Sequence, residues 1–252
     1  MSQTIWTRCA GGIRARPLRA DFCRVVEAQF RNSTRKLVDS DAEQSVLEAL
    51  VDTAKAPVPE GFERLHWLLY TPFRHPPLRG GSRFGGRYER GILYGALWLP
   101  TALAEVAYYR LVFLEGTAAD LGDVRTELTA FWFGLDARRA VDLGRLPFRN
   151  YEARLASKTS YVDSQAVGAG IRAAGVEACL FVSARAATRS MNVAVFENVF
   201  APRRPKREQA WDCVARRSGV TLTSRTLIAE PDVHAFLREQ FLVRGALPVP
   251  AV

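Results

Sequence analysis

The spacing of apolar and polar residues divides the chain into segments of different period. Residues 1–20 read as a basic, irregular arm. Phe22, Val25, Val26 and Phe30 then recur at helical spacing and predict a helix over 21–30, ended by Asn32, Ser33 and Thr34. A second helix is predicted from Ser40, where Ser40 and Glu43 stand three apart as in a capping box. Val46, Leu47, Leu50 and Val51 form its apolar stripe. Pro57 and Pro59 mark a stiff linker after it. The domain boundary is placed there, with a basic arm and helical extension over 1–60 and the main domain over 61–252.

Past the linker, Leu65 to Tyr70 reads as a buried strand, Pro72 to Gly91 as a long loop, and Ile92 to Ala96 as a short strand. Pro100 suits the first turn of a helix carrying Leu103, Ala104, Ala107, Tyr108 and Leu111 on one face, with Glu105 off that stripe. Strands are predicted at 126–133, 140–143, 178–183 and 192–197, and helices at 164–174 and 231–241. Residues 202–207 read as a basic turn. Strands and helices intermix without a regular βαβ rhythm, which predicts an α+β fold.

Composition narrows the classes. With 48% hydrophobic and 24% charged residues the 252-residue chain is an ordinary globular protein rather than a disordered one. Its net charge of +9 comes almost wholly from arginine, since lysine occurs only at Lys36, Lys55, Lys158 and Lys206. A guanidinium fork suits phosphates and carboxylates, so an anionic partner is one reading and a coding bias the other. Cys9, Cys23, Cys179 and Cys213 are far apart, and only His66, His75 and His234 occur, so neither a disulfide framework nor a zinc site is expected. No stretch is apolar enough for a signal peptide or a membrane span, and a cytoplasmic protein is expected.

The candidate chemistry is spread along the chain. Arg74, Arg79, Arg83, Arg87 and Arg90 alternate with glycines in one loop, where guanidiniums and backbone amides can approach an anion together; a solvated basic loop would read the same. Its glycines match neither a Walker loop nor a dinucleotide fingerprint. Glu105, near a helix N-terminus, is either a surface carboxylate or one placed to stabilise a developing cationic sugar. Tyr94 reads as core by default, Asn192 as a turn residue, and Ser183 as a satisfied hydroxyl without the elbow of a serine hydrolase.

Taken together, Ser82-Arg-Phe-Gly, Leu93-Tyr-Gly-Ala, Thr101-Ala-Leu-Ala-Glu-Val-Ala, Val182-Ser-Ala-Arg and Asn192-Val-Ala-Val-Phe resemble the RES domain, over roughly Phe62 to Phe200. The resemblance implies an ADP-ribosyltransferase-like mixed β-sheet with surrounding helices, carrying an N-terminal helical extension. It implies a bacterial toxin that takes NAD as substrate, without a metal, and cleaves its nicotinamide–ribose bond. ADP-ribose would pass to water, phosphate or a protein target such as phosphoribosyl pyrophosphate synthetase. The implied partner is an Xre-type antitoxin, with nucleic acid met only through it. Carried over by residue, Arg74 and Arg83 would bind the pyrophosphate, with Arg87 in reserve for Arg83. Tyr94 would pack on the nicotinamide ribose, and Glu105 would stabilise the cationic sugar. Ser183 would bond the nicotinamide riboside, with Asn192 also at the NAD site. The rival from another class is an arginine-rich nucleic-acid-binding or interaction protein without NAD activity.

Overall fold

A computed structural model describes residues 4–9, 14–28, 38–75, 77 and 79–250. Its sheet of eight strands runs β1-β2-β5-β4-β3-β6-β7-β8, and β1 also pairs with β3. Strands β1 (Arg16–Glu27), β2 (Leu93–Ala96), β5 (Met191–Val195), β4 (Ala178–Val182) and β3 (Val124–Asp142) therefore close into a ring. From β3 the sheet continues outward through β6 (Arg207–Arg216), β7 (Gly219–Ser224) and β8 (Val233–Leu237). Among the described residues only β3–β4 pairs in parallel. Helices surround this mixed sheet, so the fold is α+β as the alternation of periods predicts.

Residues 16–27 are a strand paired along β3 from Arg16↔Ala140 to Glu27↔Leu128, neither an irregular arm nor a helix. The period misleads where the strand is buried on both faces, from Phe22 to Val26; before that, Leu18, Ala20 and Phe22 alternate with exposed Arg19 and Asp21. Leu18, Ala20, Phe22 and Val26 join one core cluster, while Cys23 and Val25 join another. A strand covered on both sides loses its polar alternation, and Phe22, Val25 and Val26 then satisfy a helical spacing equally well. Phe30 and the expected break at Asn32–Thr34 lie outside the described residues.

Helix α1 (Ile5–Cys9) contacts α6, and helix α2 (Asp41–Ala54) starts where the cap predicts. There the Glu43 amide donates to Ser40 Oγ at 3.2 Å, and Glu43 Oε2 accepts from the Asp39 amide at 2.9 Å. Its apolar stripe is not buried as expected: Val46, Leu50 and Val51 are exposed. Leu65 to Tyr70 is no strand. Helix α3 (Trp67–Arg74) occupies it, capped where His66 Nδ1 accepts from the Leu68 amide, and buries Leu68, Leu69 and Phe73. A six-residue apolar run does not distinguish strand from helix by itself.

Helix α4 (Leu99–Glu115) has Pro100 in its first turn and buries Leu103, Ala107, Tyr108, Leu111 and Leu114 against β6 and β7. The two strands expected at 126–133 and 140–143 are one nineteen-residue strand, β3. After the short helix α5 (Glu152–Leu155) comes α6 (Val162–Ala173), close to its predicted bounds. The helix expected at 231–241 is replaced by β8 and a 3₁₀ turn at Arg238–Phe241. Among the described residues no helix is long and apolar enough to cross a membrane.

Candidate active site

A cavity of about 440 Å³ opens where the strand ring meets α4. Its wall is formed by Cys23, Arg24 and Val25 of β1, Tyr94 to Ala96 of β2 and Asn192 of β5. The α4 side chains of Glu105 and Tyr109, the 81–83 loop, Phe181 and Tyr161 also line it. That volume falls in the range of roughly 300–1,000 Å³ usual for small-molecule sites.

Glu105 is tied down on one oxygen. Ser183 Oγ donates to Glu105 Oε1 at 2.8 Å, and Asn192 Nδ2 donates to the same atom at 2.9 Å. Ser183 in turn accepts the amides of Arg185 and Ala186, each at 3.2 Å, so its single proton is directed at the carboxylate. The strands make this meeting possible: β4 and β5 pair Phe181 with Asn192, which brings Ser183, just past β4, beside the same wall. No partner engages Glu105 Oε2 among the described residues, and it is the oxygen left for a ligand.

The arginine-rich loop is folded inward by contacts remote in sequence. Tyr94 O–H shares a hydrogen bond with Ser82 Oγ at 2.8 Å and accepts the Phe84 amide at 3.0 Å. Burial, the largest cause, pushes the Tyr94 phenol well above its ordinary range. From α6, Gln165 Nε2 donates to the carbonyls of Gly80 and Ser82, each at 3.0 Å. Gly168 on α6 lets the Phe84 backbone lie against the helix, since a Cβ there would stand 1.9 Å from the Phe84 carbonyl oxygen. These supports turn Arg83 into the protein. Its Nη1 donates to the Leu155 and Ser157 carbonyls, each at 3.0 Å, and its guanidinium lies 4.9 Å from the Tyr161 ring centroid.

The residues expected at the site therefore separate. Glu105, Tyr94, Arg83 and Asn192 line the cavity, and Ser183 reaches it through Glu105. Arg87 is exposed and stacks on Tyr88 at 4.7 Å. Arg74 is not on the wall; its Nε donates to the Ala56 carbonyl. A different arginine is. Arg24 lines the cavity, and its Nη1 is sealed from solvent without a hydrogen-bond partner. Burial pulls its guanidinium down to about 10. Reading β1 as a helix hid it, and the signal that could have revealed it is a lone arginine between Cys23 and Val25 in an apolar run. Among the described residues no three His, Cys, Asp or Glu gather as a metal site would require.

These features define a class: an α+β protein whose cavity joins a carboxylate with one free oxygen to two guanidiniums and several tyrosines. A family model for the RES domain matches residues 58–215, and the chain belongs to the RES domain family. Strand β1 and Arg24 precede the matched segment. Comparison with curated proteins finds no match. Among solved structures, the chain is similar to one from the crystal structure of the M. tuberculosis MbcT–MbcA toxin–antitoxin complex. The TM-score is 0.47 at 13% identity, covering 77% of this chain and 85% of that one.

Proposed function

We propose that this RES-domain protein cleaves NAD at the nicotinamide–ribose bond and is the toxin of a toxin–antitoxin pair. The observation that carries the reading is the Glu105 carboxylate, fixed on Oε1 by Ser183 and Asn192 with Oε2 left for substrate. In this reading Oε2 accepts a ribose hydroxyl and the carboxylate stabilises the oxocarbenium-like sugar as the C1′–N bond breaks. The bonding pair leaves with neutral nicotinamide. The acceptor, which is water, phosphate or a protein side chain, adds to C1′ and gives up its proton. Arg24, whose Nη1 has no partner in the free protein, and Arg83 hold the pyrophosphate. Tyr94 backs the ribose and ties the arginine loop to the sheet. Ser183 and Asn192 act as positioning residues for Glu105, a role distinct from direct contact with nicotinamide.

Replacing Glu105 with Gln tests this. NAD loss by the purified protein should fall by roughly 10²–10³, the scale for removing one electrostatic stabiliser, with unchanged thermal unfolding. A Glu105→Gln protein that consumes NAD at the wild-type rate refutes the mechanism. The toxin reading predicts that expression arrests growth, that Glu105→Gln relieves the arrest, and that an Xre-type antitoxin protein bound to the chain blocks NAD loss. Much of the arginine charge is already engaged by carboxylates, as in Arg225 with Asp212 and Glu127, Arg216 with Asp123 and Arg189 with Glu152. That pairing weighs against a phosphate-binding nucleic-acid surface.

A further inference from the structure

Two tyrosines without a role in the catalytic scheme line the cavity beside Glu105. Tyr109 follows Glu105 by one helical turn, and such neighbours project on one face with Cβ atoms about 5–6 Å apart. Tyr161, at the entrance of α6, is buried and carries the Arg83 guanidinium over its ring at 4.9 Å. Tyr109 also meets the Tyr108 ring edge-on at 5.0 Å. It lines the cavity and leaves 55% of its surface exposed. Desolvation, and then Tyr161, push its phenol well above the ordinary range, so the ring stays neutral at physiological pH.

The bond under attack joins ribose C1′ to a pyridinium nitrogen. A ribose held by Glu105 therefore sets a positively charged aromatic ring within a turn of α4. Tyr94 is otherwise engaged: its hydroxyl holds the 82–84 loop and its ring packs edge-on against Phe181 at 6.2 Å. Tyr109 is the aromatic residue that α4 places next to Glu105 with surface still open. We propose that Tyr109 is a specificity-determining residue whose ring receives the cationic nicotinamide of NAD+, so that the site selects the pyridinium form over the neutral dihydronicotinamide of NADH. The edge-on contact with Tyr108 orients the receiving ring. Because nicotinamide leaves neutral, the attraction disappears with the bond, which favours release of that product.

The inference rests on NAD being the substrate, and the test separates the two. NAD+ and NADH are titrated calorimetrically into the Glu105→Gln protein, which keeps the dinucleotide intact, and then into the same protein carrying Tyr109→Phe or Tyr109→Leu. The parent should prefer NAD+ by about tenfold, and Tyr109→Phe should keep that preference because the ring remains. Tyr109→Leu should weaken NAD+ on the order of tenfold, the scale of a partly desolvated cation–π contact, while NADH changes by less than about twofold. Equal weakening of both ligands overturns the proposal, since it would place Tyr109 against a part they share, such as the adenine. An unchanged NAD+ to NADH ratio in Tyr109→Leu overturns it as well. A parent that binds neither dinucleotide sinks the substrate reading and this inference together. Tyr109 is half-exposed, so thermal unfolding of the three proteins should coincide.

Discussion

Replacing Arg24 with Met should raise stability and lower activity at the same time. In the free protein the Arg24 side chain lines the cavity with Nη1 sealed and unpartnered, and burial pulls the group down to about 10. Relative to an ordinary arginine, a shift of that size corresponds to ~3 kcal/mol of opposition to the charged form, taken as an upper bound because the side chain is only half-buried. Met keeps the length and apolar stem and removes the unpaired charge. An exchange of that kind is commonly neutral or stabilising, and ~1–3 kcal/mol in a chain of this size is a rise of roughly 3–10 °C in Tm. The sign with pH follows. Between about 10 and the ordinary arginine range the unfolded chain holds a proton that the folded protein has lost, so wild-type stability recovers as pH rises and its deficit against Arg24→Met narrows. Activity moves the other way. Loss of a charged hydrogen bond to a phosphate costs ~1.5–3 kcal/mol, a fall of roughly 10- to 100-fold in kcat/KM for NAD. Calorimetric unfolding and a fluorescent NAD-loss assay on the same preparations read both quantities. An Arg24→Met protein that melts lower and turns over NAD normally would make Arg24 a structural residue and refute the reasoning.

Gly168→Ala should act on the site from beneath it. The added Cβ would collide with the Phe84 carbonyl, so the loop that carries Arg83 must shift. Urea unfolding should show a loss of ~1–3 kcal/mol, and kcat/KM should fall at least about tenfold. Normal stability and turnover would show that the loop does not rest on α6. The cysteines give a separate check. All four are buried, and burial pushes Cys23 to about 12 and Cys179 higher still. Native protein at pH 8 should resist thiol labelling and react at four cysteines in denaturant. Unfolded thiols ionise from about 8.5, so stability should fall above that pH by up to ~1.4 kcal/mol per unit for each such thiol, and Cys179→Ala should flatten the decline.

What the sequence disclosed depended on how local the cause was. The Ser40 cap, Pro100 in the first turn of α4 and the buried stripe from Leu103 to Leu111 are set by neighbours a few residues away, and each is found where the spacing predicts. Strand β1 is different. Its partner is β3, more than a hundred residues on, and closure of the ring covers both faces of residues 22–26, where the apolar residues carry no period that distinguishes strand from helix. That error concealed Arg24. The arginine loop shows the same division. Its abundance of guanidiniums and glycines was visible, but which arginine turns inward is decided by Gln165, Gly168 and the Leu155 and Ser157 carbonyls, all far along the chain.

The candidate site follows from the same cause, and it bears on what each residue can do. Glu105, Ser183 and Asn192 stand out together only through the resemblance to the RES domain; by type alone Ser183 reads as a satisfied hydroxyl and Asn192 as a turn residue. Neither reading discloses their division of labour. Ser183 lies 78 residues from Glu105 and Asn192 lies 87, and only the β4–β5 pairing puts both donors on one carboxylate oxygen. Two donors on Oε1 do more than anchor Glu105: they leave Oε2 as the oxygen without a protein partner among the described residues, on the helix that carries Tyr109 one turn further on.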